Sequence, residues 1–421
     1  MDKGSYYIYC KPYHENSSIM RSISSLLVAL ALSPMSAMAA REVFAHYMVG
    51  NTYGQTLDDW AKDIQLAKAA SIDGFALNAG PTDSYGEEQL DLAYQAAEAN
   101  NFKLFISFDM LCCGTWDVST VAKFINAHKD SSAQFKVGGK PMVSTFEGTN
   151  FVSQWSEVES STGQLFLVPD WASMGPQTFA THLDVVDGAF VWDAWPLGTT
   201  PATKTTDSDN QWISAINGKP YMMAVSPWFY TRLPQYSKNW NWDSDTLWFD
   251  RWESVIDVLP QYVEIITWND YGESHYIGPI RSQGIVSGAE VYVNNMPHDA
   301  WRFILPYYIA AYKAGTRDVT VPTEGLCFGI GPRPRPSAVM APQPAVTPVL
   351  ADRRVEVTIG GQGKTFSVPK GVKLVELPFS GRVGDVVVKV NGKTATGPAK
   401  ITNSCPSSGY VNFNAVVGST S

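Results

Sequence analysis

The chain has 421 residues, 45% hydrophobic and 17% charged, which allows a large packed core plus a smaller unit and is the wrong balance for disorder. A formal net charge of -9 argues against nucleic acid or an anionic membrane as partner, because both reward basic patches. The 14 Trp and 19 Tyr mostly serve to fill cores, yet flat rings with polar edges also suit sugar faces, so an acidic, aromatic-rich chain fits a neutral polysaccharide.

In chain order, the first feature is Met20-Arg21, then an apolar run over residues 23–32, then Ser36-Ala37-Met38-Ala39. A basic start, a short apolar stretch and an Ala-x-Ala site form a secretory signal, and the run is too short to span a bilayer comfortably. Met20 reads as the start, residues 1–39 as extension plus signal, and the mature chain as extracellular, possibly in a cell wall, with no membrane association after cleavage. Secretion permits disulfides. Beyond Cys10, the cysteines Cys112, Cys113, Cys327 and Cys405 allow three pairings. The expected one joins Cys327 to Cys405 and leaves Cys112 and Cys113 free or joined to each other.

From residue 43 the sequence alternates strand-like apolar runs with amphipathic stretches. The runs are residues 43–49, 74–78, 103–109, 141–147, 164–170, 188–193, 221–227 and 262–269. Helical spacing marks residues 57–70, 90–99, 118–128, 246–259 and 299–313. Short, nearly all-apolar strands separated by helices indicate parallel strands buried on both faces. Eight β-then-α units predict a (β/α)8 barrel over residues 40–316; no Gly-rich phosphate loop follows the first strand, which disfavours an open doubly wound sheet. Residues 331–349 are Pro-rich, either a linker or an extended wrap. Beyond residue 353, runs at 355–359, 365–368, 374–377, 383–390 and 411–416, with an Asn391-Gly392 turn, predict a β-sandwich, so that residues 317–421 form an accessory domain.

A barrel of this kind builds its site at the C-terminal ends of its strands. Those ends carry Asp109, Glu147, Asp170, Asp193, Asp270 and Glu273, with His46 and Asn78 nearby. Any one acid has an ordinary explanation as a helix cap or ion-pair partner. Six on one rim raise each other's pKa values and favour acid/base work. No His/Cys spacing fits zinc and no Gly-x-Ser-x-Gly elbow is present, so no metal or cofactor is expected. Carboxylate pairs of this sort cleave glycosidic bonds. Asp270 and Glu273, three residues apart, span at most roughly 10 Å of extended chain, which leaves their carboxyl separation open.

The stretches Val43-Phe44-Ala45-His46-Tyr47-Met48-Val49-Gly50-Asn51, Asp73-Gly74-Phe75-Ala76-Leu77-Asn78, Phe105-Ile106-Ser107-Phe108-Asp109-Met110 and Trp268-Asn269-Asp270-Tyr271-Gly272-Glu273-Ser274-His275-Tyr276-Ile277-Gly278-Pro279 resemble glycoside hydrolase family 71, the fungal α-1,3-glucanases or mutanases. The resemblance spans residues 42–314 and is looser beyond. It implies inverting hydrolysis of α-1,3-glucan by a monomer, with Asp109, Asp270 and Glu273 as essential acids. Glu273 is cast as general acid, Asp270 as the base that activates water, and Asp109 as an orienting group. Trp192, Trp195, Trp228, Tyr230 and Trp268 are candidate sugar-stacking residues. His46, Asn78, Asp193 and His275 are candidate substrate contacts. The competing readings are a hydrolase of another extracellular polysaccharide and a non-catalytic carbohydrate-binding wall protein.

Overall fold

The computed structural model describes residues 41–112, 114–198, 202–242, 246–320, 327–330, 342–349, 353–369, 371–377, 381–402 and 411–419. The expected signal segment, Cys113, Cys405, the side chain of Cys327 and residues 331–341 lie outside them. Cys112 is disulfide-bonded, so the reading that left it free does not hold.

Eight parallel strands curl around one axis: β1 Glu42–Met48, β2 Gly74–Ala79, β3 Lys103–Asp109, β4 Lys140–Phe146, β5 Phe166–Leu167, β6 Ala189–Val191, β7 Tyr221–Val225 and β8 Tyr262–Ile265. Neighbours pair in chain order, and β8 returns to pair with β1. The join between β5 and β6 is narrow. The prediction ran this strand over residues 164–170, but regular pairing covers two residues. Pro169 has no N–H to give the ladder. Past it, the Asp170–Phe190 bridge and the Phe190 N–H to Pro169 carbonyl bond of 3.0 Å carry the ring.

Each strand alternates faces, as its two-residue period requires. Val43, Ala45 and Tyr47 face the helices, where they join the main core with Trp60, Ile64 and Leu90. Phe44, Phe105, Met142, Val168, Phe190, Met222 and Tyr262 point inward and fill the lumen. The lumen is therefore a packed core, and a site can only sit above it. Helix Val118–His128 matches its predicted bounds, and Leu57–Ala69 and Leu247–Val258 match theirs within one residue at each end. Helices Trp155–Thr162, Gly175–Phe179 and Asp207–Ala215 were not legible; they are short, the first and last carry several Ser, Thr or Asp and the second begins Gly-Pro, all of low intrinsic helix preference.

The C-terminal residues form two four-stranded antiparallel sheets. Apolar residues of both, among them Phe328, Val416, Val355, Val388 and Ile401, share one core. Asn391 and Gly392 take φ of 50° and 76°, the left-handed pair that a two-residue hairpin loop demands. One strand, Pro342–Val349, falls in the Pro-rich stretch and pairs on both sides. The strand expected at 411–416 starts only at Val416. Residues before it bond to the barrel instead: Trp228 Nε1 donates to Phe413 O at 3.0 Å and Asn414 Nδ2 to Tyr292 O at 2.9 Å.

Candidate active site

The segment after β8 is tied down almost residue by residue. Asn269 imitates a strand partner: its Oδ1 accepts from Met48 N at 2.7 Å and its Nδ2 donates to Met48 O at 3.0 Å. The chain then folds back, with Thr267 N bonded to His275 O and Gly278 N to Trp268 O at 2.8 Å. A Cβ on Gly278 would sit 2.5 Å from the Trp268 ring nitrogen, so only glycine permits this return. Tyr271 OH donates to Pro279 O and Tyr292 OH to Gly272 O, both at 2.8 Å. The long motif is thus the covalent recipe for one rigid loop.

That loop aims three ionisable groups at one point. Glu273 N–H donates to Asp270 Oδ1 at 3.0 Å. His275 Nε2 lies 3.1 Å from Glu273 Oε2 and 3.9 Å from Asp270 Oδ2. Thr267 Oγ1 accepts from Asp270 N at 2.9 Å and lies 3.1 Å from His275 Nδ1. His275 Nε2–H donates to Glu273, and Nδ1 meets the threonine hydroxyl. The ring is fully covered, packed by Trp195 and Phe229 at 5.2 and 5.7 Å between centroids. Asp270 and Glu273 keep 16% and 17% of their side chains exposed, enough for both to be reached from the barrel mouth.

A fourth group comes from a place the motif does not contain. Strands Tyr230–Leu233 and Lys238–Asn241 form a hairpin in the loop after β7. It brings Lys238 Nζ to 2.6 Å from Glu273 Oε1. Sequence reasoning missed Lys238; a lone lysine 35 positions from its partner carries no local signal.

The two carboxyls part company electrostatically. Burial pushes Glu273 up, but the hydrogen bond and charge of His275, joined by Lys238, outweigh it and hold the group well below the usual carboxylate range. Burial also pushes Asp270 up, and there the opposing pull of His275 and Lys238 does not win, with the charge of Glu273 adding to the rise. The two shifts run in opposite directions, Asp270 up and Glu273 down. Single ligand atoms of Asp270, Glu273 and His275 lie within 4.8 Å of one another. That is a spacing a metal could use, but the Lys238 ammonium already holds Glu273. It is also shorter than the roughly 6.5–9.5 Å that separates carboxyl groups around an attacking water.

Asp109 ends β3 with only 8% exposed. Its Oδ1 accepts from Leu111 N at 3.1 Å and Cys112 N at 2.9 Å. Burial works against the charge on Lys238, but Glu273, Asp270 and Asp109 together raise its pKa, so all three acids lie within electrostatic reach of the same ammonium. Trp228, Tyr230 and Trp268 are buried with covered faces, a correction to their reading as open stacking surfaces. Trp195 is buried too and donates its ring N–H to Trp228 O at 2.8 Å; it backs His275. Trp192 is half-buried and lies 4.7 Å from the His46 ring. Asp193 is paired with Lys204 at 2.5 Å. His46 and Asn78 are buried at the tops of β1 and β2. An open indole does exist where none was expected, at Trp240 on the hairpin, 36% exposed and stacked on Phe229.

A family model described as glycosyl hydrolase family 71 matches residues 39–421. The glucan endo-1,3-alpha-glucosidase agn1 of Schizosaccharomyces pombe is 36% identical over 412 residues, covering 90% of this chain and 95% of that protein. A mutanase of Penicillium rubens is 35% identical, covering 96% and 94%. The ascus wall endo-1,3-alpha-glucanase of S. pombe is 35% identical, covering 69% and 71%. Among solved structures, a GH99 endo-alpha-mannosidase from Bacteroides thetaiotaomicron superposes with a TM-score of 0.51 at 15% identity, over 65% of this chain and 98% of that one. This last likeness speaks for the barrel fold alone.

Proposed function

The chain belongs to glycosyl hydrolase family 71, and on that premise we propose that it hydrolyses internal α-1,3-glucosidic linkages of wall glucan, outside the cell and as a monomer. The observation that carries the reading is the convergence of Asp270 and Glu273 on His275, with Glu273 clamped by Lys238. The endo mode follows the names borne by the relatives. Among the described residues no helix is long and apolar enough to cross a membrane. The C-terminal sheets are read as a β-sandwich accessory domain.

Asp270 holds the proton and gives it to the departing glycosidic oxygen. Glu273 stays ionised throughout; after each turnover Asp270 regains its proton from solvent, and Asp109 gives up to solvent the one it took from water. Cleavage with inversion needs a second carboxylate across the scissile bond to activate water. The Asp270–Glu273 spacing is too short to leave that room alone, and Asp109 on β3 supplies it. Trp192, His46 and Asn78 line the bound sugar.

The test is release of reducing ends from insoluble α-1,3-glucan, with β-1,3-glucan and starch as controls. Release from the first substrate alone is expected. Tight binding to the glucan with no release is the outcome for a carbohydrate-binding wall protein and would sink the hydrolase reading.

Lys238 yields a pH prediction. Its ammonium lowers the pKa of Glu273 and opposes the rise at Asp270. Activity is lost on the acid side as Glu273 gains a proton and on the alkaline side as Asp270 loses one. Lys238→Met raises both, so both limbs of the profile of kcat/KM move to higher pH, with a loss at the wild-type optimum of about 10- to 100-fold. An unmoved profile would remove Lys238 from the mechanism.

A further inference from the structure

Beneath the acids lies a layer of polar groups of which the mechanism above uses only His46. The inward residues Phe44, Phe105, Val168 and Tyr262 fill the lumen. Two positions further along the same strands, on the same face by strand periodicity, stand His46, Ser107, Asp170 and Glu264. Each is 0 or 1% exposed. Each also keeps one buried polar atom without a hydrogen-bond partner: His46 Nε2, Ser107 Oγ, Asp170 Oδ2 and Glu264 Oε2. Their other atoms are engaged. His46 Nδ1 lies 2.6 Å from Glu264 Oε1. Asp170 Oδ1 accepts from Ala172 N at 3.2 Å and Trp192 N at 3.3 Å. Trp192 links this layer to the acids, with its ring 4.7 Å from His46 and 6.4 Å from His275.

A buried polar atom left unpaired is destabilising, and four segments of the barrel contribute one each. We propose that this layer is the floor of the sugar subsite, with Asp170 and Glu264 binding hydroxyl groups of the glucosyl unit at the scissile bond; the proposal rests on the glucanase reading above. The chemistry of the set selects the ligand class. Burial, reinforced by the charges of Glu147 and Glu264, pushes Asp170 well above the ordinary carboxylate range. Asp170 Oδ2 and Glu264 Oε2 leave two carboxyl oxygens to the ligand. His46 Nδ1 is taken by Glu264, which leaves Nε2, and the Ser107 hydroxyl both donates and accepts. An anion would meet two carboxyl groups. A neutral ligand with several hydroxyls, each both donor and acceptor, meets every need at once.

The experiment uses the full chain carrying Asp270→Asn, which retains the site without turnover. Binding of α-1,3-linked glucotriose is measured by calorimetry, alone and with Asp170→Asn, Glu264→Gln or Ser107→Ala added. A panel of trisaccharides lacking one hydroxyl per molecule is measured alongside. Asp170→Asn and Glu264→Gln are expected to weaken glucotriose binding by at least about tenfold, on the scale of a hydrogen bond to a charged group. One deoxy sugar should be penalised against the parent and not against the matching variant, a coupling that a merely structural role does not produce. Ser107→Ala, which deletes a single hydroxyl, carries the same comparison should a carboxyl variant fail to fold. Equal binding by parent and variants, with no coupling to any hydroxyl, would reduce the layer to a holder of water and overturn the proposal. Failure of the Asp270→Asn parent to bind glucotriose at all is a different result: it sinks the glucanase reading, and the floor with it.

Discussion

Asp270→Asn and Glu273→Gln are each expected to lower kcat on α-1,3-glucan by about a thousandfold or more, with the melting temperature nearly unchanged. General acid–base catalysis contributes about 10²–10⁴ per group, and the charge of Glu273 raises the proton affinity of Asp270, so losing either is expected to disable both. Asn at position 270 keeps an acceptor for Glu273 N–H but has no acidic proton to give. Gln at position 273 keeps the volume but loses the charge that Lys238 and His275 are built to hold. The double variant should therefore be little worse than either single one, since residues that act as a unit are not additive. Additive losses would mean that the two act separately. Asp109→Asn is expected to fall short of these, by about a hundredfold, because its backbone contacts survive the change. A small loss there would take the water-activating role away from Asp109.

The largest effect on stability is expected at Arg251, far from the chemistry. Its side chain is fully buried in the helix Leu247–Val258. It holds Asp209 through Nη1 at 2.9 Å and Nη2 at 3.2 Å, and it donates to Ala224 O from Nη2 at 2.7 Å. Asp209 also accepts from Tyr221 OH at 3.0 Å. One guanidinium thus ties two helices to β7. Arg251→Met leaves the Asp209 charge buried and unpaired, at a cost of about 3–5 kcal/mol. Chemical denaturation reads this as a lower midpoint, and Arg251→Met with Asp209→Asn should recover part of it. A cost below about 1 kcal/mol would show that water reaches Asp209 when the arginine is gone.

What the sequence disclosed and what it hid follow one physical line. The barrel was legible because each strand writes its burial as a local apolar run, as in Phe105-Ile106-Ser107-Phe108. Helix Val118–His128 was legible because its apolar positions recur at helical spacing and Asp117 caps it. The catalytic loop was legible because nearly all its constraints fall within a dozen residues. Three things were hidden. Lys238 reaches the site only through a hairpin whose placement depends on tertiary packing. The proton balance between Asp270 and Glu273 depends on that lysine and on burial, neither of which spacing encodes. The fate of the tryptophans was decided by neighbours: Trp268 sits in sequence beside the acids and Trp228 just past β7, yet both are buried in protein, while Trp240 was left open.

In the proposed mechanism Asp270, with Glu273 beside it, is the acid on one side of the linkage, and Asp109 directs water from the other. Proton NMR of the first sugar released from α-1,3-linked oligosaccharide, recorded before mutarotation, tests it most directly. The predicted signal is the β-anomer, formed by inversion at the α-linked carbon. An α-anomer appearing first would mean retention, with the closely spaced couple itself attacking carbon, and would contradict the role given to Asp109.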